Sequence, residues 1–296
     1  PTSTRALDAV DALLGRFVAF PTDHARHATT LWAAHTHLLD ATVFSPRLVL
    51  TSPEKGSGKT RCLEILKLVA PRPLHAVQMS EAALFRLMGG DQRPTVLFDE
   101  GDTIFGPYSR HSPRAEGLRA IINSGWEKGA VVPRVGGKDF KVEYFPIFGA
   151  VAIAGIGAFP DTITDRSVLV EMRRRAPDER VEPFHAHQAH HIGDPVHQQL
   201  AEWADTIRDD LSDHQPASVE GLTDRPWDIW RPLIAIAEQA GDHWAHRATD
   251  AAVYLNERRQ QGETSDTIRL LADIRTAFAG HDRMQTSELV VRLGDI

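Results

Sequence analysis

Apolar residues recur along this chain at two periods, and the changes of period mark where strands and helices alternate. Leu7, Val10, Leu13, Leu14, Phe17 and Val18 fall at helical spacing within 4–20, and Leu31, Trp32, His35, Leu38 and Leu39 do so within 27–41. Two helices are therefore predicted ahead of a short β-branched run, Leu48-Val49-Leu50-Thr51. A helix with Leu63, Leu66 and Val69 on its apolar face follows. Next come a strand near 74–77 and a helix to Met88 that Ser80 caps and Gly89-Gly90 stops. Strands are expected at 95–98, 150–154 and 167–172, with a loop over 103–117, a helix over 118–128 and a short helical segment from Pro160. Beyond Pro183 the pattern is helical: 194–211 with Asp194 as its cap, then 227–240, 243–259, 265–279 and 288–293. Strands alternating with helices predict an α/β domain on a parallel sheet, and the later helices predict an appended helical part. The expected segments are 1–45 (N-terminal helices), 46–180 (α/β core), 181–262 (helical) and 263–296 (the start of a further module).

The junction between the first strand and its helix carries chemistry. Pro53, Glu54, Lys55, Gly56, Ser57, Gly58, Lys59, Thr60 and Arg61 form a loop that opens a helix, the context a phosphate-binding P-loop needs. Gly56 and Gly58 let the backbone wrap closely, and amides from about Gly56 to Arg61 can point at a phosphate beside the positive end of the helix dipole. Lys59 would contact the β- and γ-phosphates, and the Thr60 hydroxyl would ligate Mg²⁺. Pro53 stands where G-x-x-x-x-G-K-[ST] has its first glycine, so the loop entrance must follow a different path.

The buried strand at 95–98 delivers Asp99 and Glu100 at its C-terminal end, where parallel sheets place their ligands. Asp99 would hold Mg²⁺ and Glu100 would orient and deprotonate an attacking water, with Asp102 as a supporting contact. Two β-rich runs flank Gly136-Gly137-Lys138-Asp139 and predict a hairpin over 131–145. Arg134, Lys138 and Lys141 make it basic and Phe140 adds an aromatic near its tip, which suits either a nucleic-acid backbone or an ordinary solvated hairpin. Arg166 precedes the last strand, placed either to reach a neighbouring subunit's γ-phosphate or to serve as an interface arginine.

Composition narrows the setting. The chain has 296 residues, 42% of them hydrophobic and 25% charged, which is ordinary for a globular protein, and a formal charge of −7 argues against a generally basic nucleic-acid coat. Cys62 is the single cysteine, so no intrachain disulfide is available, in keeping with a cytoplasmic setting. The apolar run at 145–159 is broken by Pro146, Gly149, Gly155 and Gly157, which suits a buried strand rather than a membrane span. Histidines crowd 185–197, but His187 and His191 lack an identified third ligand. A start at Pro1 and a stop just after a helical pattern suggest a fragment.

Taken together, LVLTSPEKGSGKTRCLEIL, TVLFDEGDTIFG, FPIFGAVAIAGIGAFPDTITDRSVLVEMRRR and RPWDIWRPLIAIAEQAGDHW resemble an AAA+ type P-loop ATPase. More narrowly they resemble an actinobacterial and phage domain family of unknown function found in primase–helicase-like replication proteins. The resemblance implies an α/β P-loop NTPase fold (AAA+/ASCE-like) with a parallel-sheet core, N-terminal helices, a C-terminal α-helical lid and, from about Thr267, a winged-helix-like module. It also implies ATP and Mg²⁺ at the interface of a ring-like homo-oligomer such as a hexamer. Arg166 falls at the arginine-finger position, Arg225 or Arg231 at that of the second sensor, and the 131–145 hairpin resembles one that hexameric helicases insert. The sensor strand departs from the pattern: it ends in Ala154-Gly155-Ile156 where a polar residue is expected, so either Asn123 or Thr162 substitutes or hydrolysis is slow.

Three functions follow from these expectations. The first is a DNA helicase or translocase acting on single-stranded or double-stranded DNA, with hydrolysis stimulated by DNA. The second is a nucleotide-gated remodeller or assembly factor with a protein partner, which the acidic charge favours. The third is a small-acceptor kinase, against which Glu100 and the long helical third speak.

Overall fold

The computed structural model describes residues 2–106, 112–136, 140–278, 281 and 283–294. Helices α1 (Thr2–Phe17) and α2 (Asp23–His35) precede strand β1 (Arg47–Ser52) and helix α3 (Lys59–Val69). The chain continues through β2 (Pro73–Ala76), α4 (Glu81–Met88), β3 (Thr95–Phe98), α5 (Asp102–Phe105) and α6 (Pro113–Ser124). Then come β4 (Val131–Gly136), β5 (Lys141–Pro146), β6 (Val151–Ile156), α7 (Asp161–Thr164) and β7 (Ser167–Glu171). Four helices follow: α8 (Ala189–Asp213), α9 (Asp224–Ala240), α10 (Asp242–Phe278) and α11 (Thr286–Gly294).

Five strands form one sheet in the order β2-β3-β6-β1-β7, and every neighbouring pair is parallel. Because both faces are covered, the strands read as continuous apolar runs rather than alternating ones. The strand period of two splits them between two cores. Leu48, Leu50, Leu97, Ala152, Ala154, Val168 and Val170 face a core shared with α1, α2, α3, α8 and α9. Val49, Val96, Phe98, Val151 and Ile153 face the other, with α4, α5 and α6. The result is a mixed α/β fold with helices on both sides of a parallel sheet. Each fully buried Leu or Val contributes about 1.5–3 kcal/mol.

The expected N-terminal and core segments, and the helical segment as far as Leu255, lie within one compact unit, Pro1–Leu255, whereas residues 256–262 of that segment fall in the second. Asn256–Ile296 form a second unit holding the remainder of α10 and α11, where Arg292 donates to the Ala277 carbonyl at 2.9 Å. Three local expectations differ. The stretch 103–117 is not simply a loop, since α5 starts at Asp102 and α6 at Pro113, whose missing N–H is no loss in a first helical turn. Helix α8 begins at Ala189, ahead of the expected Asp194 cap; Gly193 lets it approach α3, because a Cβ there would meet Leu68 Cβ at 2.6 Å. The two helices expected at 243–259 and 265–279 are one, α10, with no glycine-type stop between them that ends the helix. Among the described residues no helix is long and apolar enough to cross a membrane.

Candidate functional site

Strand β1 ends at Ser52, and the loop to α3 turns through two left-handed glycines, Gly56 (φ 78°) and Gly58 (φ 85°). An L side chain at either would be strained, which is the physical reason glycine stands there. Lys59 folds back into this loop. Its ammonium donates to the hydroxyls of Ser52 and of Ser57 (2.9 Å) and to the Glu54 carbonyl (3.3 Å). Ser57 in turn donates to Ser52 (2.9 Å) and Ser52 to the Glu54 carbonyl (2.6 Å). Burial lowers the Lys59 pKa from its ordinary value, opposed by the charges of Asp102 and Asp99. The oxygens around the ammonium occupy the kind of position that phosphate oxygens would take, so the donor set fits an anion at this loop. Arg174 straps the loop from outside, donating to the Lys55 carbonyl at 3.0 Å and pairing with the Glu54 carboxylate at 3.0 Å. Arg61 turns away, pairing with Glu64 at 3.1 Å and lying 4.7 Å from the Phe184 ring centre.

Strand β6 lies between β1 and β3 and is hydrogen-bonded to both, with Leu50 opposite Ala154 and Phe98 opposite Ile153. The glycine loop and the two acids therefore flank the C-terminal end of one strand. Together they line a cleft of about 360 Å³ bounded by Lys55, Gly56, Ser57, Gly58, Lys59, Thr60, Arg61, Asp99, Glu100, Asp102, Gly155 and Ile156. Thr60 is exposed to it and Asp99 stands across it; a hydroxyl and a carboxylate oxygen are the donors that a hard divalent cation takes. The Asp99 carboxylate also accepts the Glu100 amide at 3.0 Å and lies 3.8 Å from His75 Nε2. Glu100 adopts φ 55°, a conformation uncommon for a residue with a Cβ, and presents its carboxylate to solvent in the cleft.

Asp102 stands beside the end of β6, where the strand itself offers no polar side chain. Its carboxylate accepts the Ile156 amide at 3.2 Å, and a Cβ on Gly155 would meet the Asp102 backbone nitrogen at 2.9 Å. Asn123 and Thr162, the expected substitutes, do not line the cleft. Among the described residues the buried side-chain oxygen of Asn123 has no partner, and the Thr162 carbonyl accepts from Arg166 at 2.7 Å. Sequence reasoning missed Ser52 and Arg174. Ser52 is adjacent to the motif, and Arg174 belongs to the Arg173-Arg174-Arg175 run that returns to the loop only because β7 is parallel to β1.

The remaining candidates do not reach this cleft. Arg166 immediately precedes β7, and its carbonyl accepts the Arg47 amide at 2.8 Å, which places it at the N-terminal ends of β1 and β7. Arg225 and Arg231, expected as a second sensor, lie at that same end, over Trp126 and Phe44. The Ser45 amide bonds to the Trp126 carbonyl at 2.7 Å, which fixes these rings just ahead of β1. A strand of 6 residues spans about 20 Å, too far for any of the three to touch the glycine loop of its own chain.

The hairpin forms as β4 paired with β5, and its charge is arranged differently from the expectation. Arg134 is paired with Glu81 and lies 5.1 Å from the Phe85 ring centre, on the face that packs against α4. Lys138 lies outside the described residues. Phe140 is 81% exposed and Lys141 is exposed. The opposite face is apolar: Val131, Pro133 and Val135 stand opposite Pro146, Tyr144 and Val142, with Val135 64% and Tyr144 68% exposed.

Residues 171–296 match the family described as a protein of unknown function, DUF3631. An uncharacterized 28.9 kDa protein in the xis 5' region of Saccharopolyspora erythraea is 41% identical over 128 residues, covering 41% of this chain and 46% of that protein. The chain thus spans less than half the length of that curated relative. The family match begins at the end of β7, so it holds Arg225 and Arg231 but neither the glycine loop nor the acids.

Proposed function

We propose that this chain is an ATP-hydrolysing motor of AAA+ type, a P-loop ATPase with a helical lid. Its work would be DNA translocation or unwinding in a phage or mobile-element replication system, as an oligomeric ring in the cytoplasm. The observation that carries this reading is the meeting of the Lys59 loop and the Asp99-Glu100 pair at the C-terminal end of β6, in one cleft. In that reading Lys59 leaves Ser52 and Ser57 for the β- and γ-phosphates, and the glycine-loop amides hold their oxygens. Thr60 and Asp99 would hold Mg²⁺, which when bound supplies charge neutralisation on the phosphates. Glu100 takes the proton of the attacking water as the new P–O bond forms, and the bond to the bridging oxygen breaks to leave ADP and phosphate. Arg166 acts on the neighbouring copy, because it cannot reach its own cleft.

The test is ATP turnover with and without single-stranded DNA, alongside particle mass with and without a non-hydrolysable nucleotide. Turnover that DNA raises and Lys59→Ala abolishes is the expected result. No affinity for ATP in the pure protein would overturn the reading.

One observation favours a second reading, a nucleotide-gated remodeller or assembly factor. The outward hairpin face is apolar, with Val131, Val135, Val142 and Tyr144 exposed, and such a face suits a protein surface better than a phosphate backbone. Hydrolysis indifferent to DNA, together with a protein partner captured only with nucleotide, would select it.

A further inference from the structure

Among the described residues that line the cleft, Glu100 alone combines a Cβ with a left-handed backbone, φ 55°. That conformation is unfavourable for an L side chain and persists only where neighbours over-determine it. Here both of its backbone polar groups are engaged. The Glu100 amide donates to Asp99 Oδ1 at 3.0 Å, and its carbonyl accepts the Thr103 amide at 3.0 Å and the Thr103 hydroxyl at 2.9 Å. A threonine hydroxyl commonly bonds a carbonyl one turn back inside a helix, but α5 starts at Asp102, so this carbonyl belongs to the strained turn ahead of it. Gly101 pins the same turn to the sheet: its amide donates to the Ala154 carbonyl of β6 at 2.7 Å. Its own backbone, φ −57° and ψ −22°, is one that any residue adopts, so conformation does not call for glycine there. Space does. A Cβ at position 101 would meet Ile153 Cγ2 at 2.3 Å, the Ala154 carbonyl oxygen at 3.2 Å and Phe159 Cε1 at 3.3 Å.

We propose that Gly101 and Thr103 are positioning residues for Glu100, holding the left-handed turn that aims its carboxylate into the cleft. The inference rests on the nucleotide reading above, in which Glu100 takes the proton of the attacking water, and adds to it the two residues that hold this base in place. The turn is anchored on both sides of Glu100. The Asp99 amide donates to the Ala76 carbonyl of β2 at 3.0 Å, and the Asp102 carboxylate accepts the Ile156 amide at 3.2 Å. With its neighbours fixed, relaxation of residue 100 to a negative φ is the freedom that remains, and it would re-aim the Cα–Cβ bond. The Thr103 hydroxyl opposes that rotation at the carbonyl, while the close approach of Gly101 to Ile153 sets how far the turn stands from β6. A base must lie within hydrogen-bond reach of the water it deprotonates, and a 1 Å misplacement can cost about 100-fold in rate. Neither Gly101 nor Thr103 lines the cleft, so both act through Glu100 and on the rate of turnover rather than on nucleotide binding.

Steady-state kcat and KM for ATP, read beside urea midpoints, test this. Thr103→Val keeps the shape of an exposed side chain and removes the hydroxyl; it is expected to lower kcat about fivefold, the worth of one net hydrogen bond, with KM unchanged. Thr103→Ser returns the hydroxyl and is expected to restore kcat. Gly101→Ala must move the turn by more than about 1 Å to reach an ordinary carbon–carbon contact and is expected to lower kcat about 100-fold. Should it also melt well below the wild type, Gly101→Ala/Ile153→Ala, which removes the Cγ2 that the new methyl meets, takes its place and is expected to recover part of the rate. The strain has its own readout: Glu100→Gly is expected to show a higher urea midpoint than Glu100→Gln, because glycine takes φ 55° freely. Wild-type kcat in Thr103→Val, a loss that Thr103→Ser does not restore, or a rise in KM at unchanged kcat overturns the proposal. So does a midpoint for Glu100→Gly below that of Glu100→Gln. Wild-type protein that neither binds nor hydrolyses ATP, or full turnover in Glu100→Gln, would instead refute the nucleotide reading, a result distinct from these.

Discussion

The Asp102 carboxylate accepts the amide hydrogen of Ile156 at 3.2 Å, tying the first turn of α5 to the last residue of β6. This bond puts an acid at the end of β6, where the strand itself has only Ala154, Gly155 and Ile156, and it depends on a glycine. A Cβ at position 155 would meet Phe159 Cζ at 2.7 Å and the Asp102 nitrogen at 2.9 Å. Gly155→Ala is therefore expected to displace Asp102 and destabilise the fold by about 1–3 kcal/mol, read by urea unfolding. Asp102→Ala spares the packing and is expected to lower ATP turnover about tenfold, roughly 1.4 kcal/mol of barrier. Unchanged turnover in Asp102→Ala would remove it from the site.

Lys59 is the most direct test of the loop. Lys59→Ala is expected to abolish turnover and to weaken nucleotide binding, measured by titration with a fluorescent nucleotide analogue. Its ammonium has only neutral hydroxyl and carbonyl partners, in a loop whose residues 53–56 are exposed, so its removal is not expected to lower the melting temperature. A large drop in melting temperature would instead make Lys59 a structural residue.

Arg47 is fully buried and, among the described residues, has no carboxylate partner. Its guanidinium donates to the carbonyls of Ile122 (2.8 Å), Ser45 (3.3 Å) and Gly149 (2.5 Å), joining the starts of β1 and β6 to the end of α6. Burial, then the charge of Arg166, bring its pKa down to about 9. Arg47→Met would strand the Ile122 and Ser45 carbonyls, while the Gly149 carbonyl keeps the Ser45 hydroxyl at 3.2 Å, and is expected to cost about 3–5 kcal/mol, measured as a fall in the urea midpoint. An unchanged midpoint would show that the carbonyls find other donors.

Two buried histidines give stability a pH dependence. Burial and then Arg47 push His35 down to about 3; burial pushes His37 down to about 4, against the opposing pull of its bond to the Val69 carbonyl. Both folded values lie below the unfolded one near 6.5. The unfolded chain therefore takes up protons that the folded chain refuses as pH falls through that value. Stability is fully present above about pH 6.5 and is lost towards pH 4 at up to about 1.4 kcal/mol per unit for each histidine. Urea midpoints at about pH 7 and about pH 5 should differ, and His37→Gln should flatten the difference. Equal midpoints in the wild type would contradict the burial of these rings.

The exposed hairpin separates the two functional readings. Phe140 is 81% exposed and Tyr144 68%, so Phe140→Ala and Tyr144→Ser are expected to change stability by less than about 0.5 kcal/mol. In the motor they lower DNA-stimulated turnover and leave the basal rate alone. In the remodeller they weaken capture of the protein partner and leave DNA response unaffected.

Local chemistry carried the early steps of the argument. The run Leu48-Val49-Leu50 announces a strand covered on both faces, Gly56 and Gly58 announce a loop that needs left-handed backbone, and Phe98-Asp99-Glu100 announces acids at a strand end. Each of these rests on neighbours within a few residues. Long-range placement required the folded chain. Strand order sets β6 between the loop and the acids, and so brings Asp102 to Ile156; parallel pairing of β7 with β1 sends Arg166 to one end and Arg174 to the other. Arg225 and Arg231 could be assigned to the cleft from their position in the sequence, yet α9 packs them over Phe44 and Trp126 at the far edge. A side chain's type is written in the chain, but which partner it meets is decided by hydrogen-bond registers and packing between segments a hundred residues apart. No local pattern encodes that.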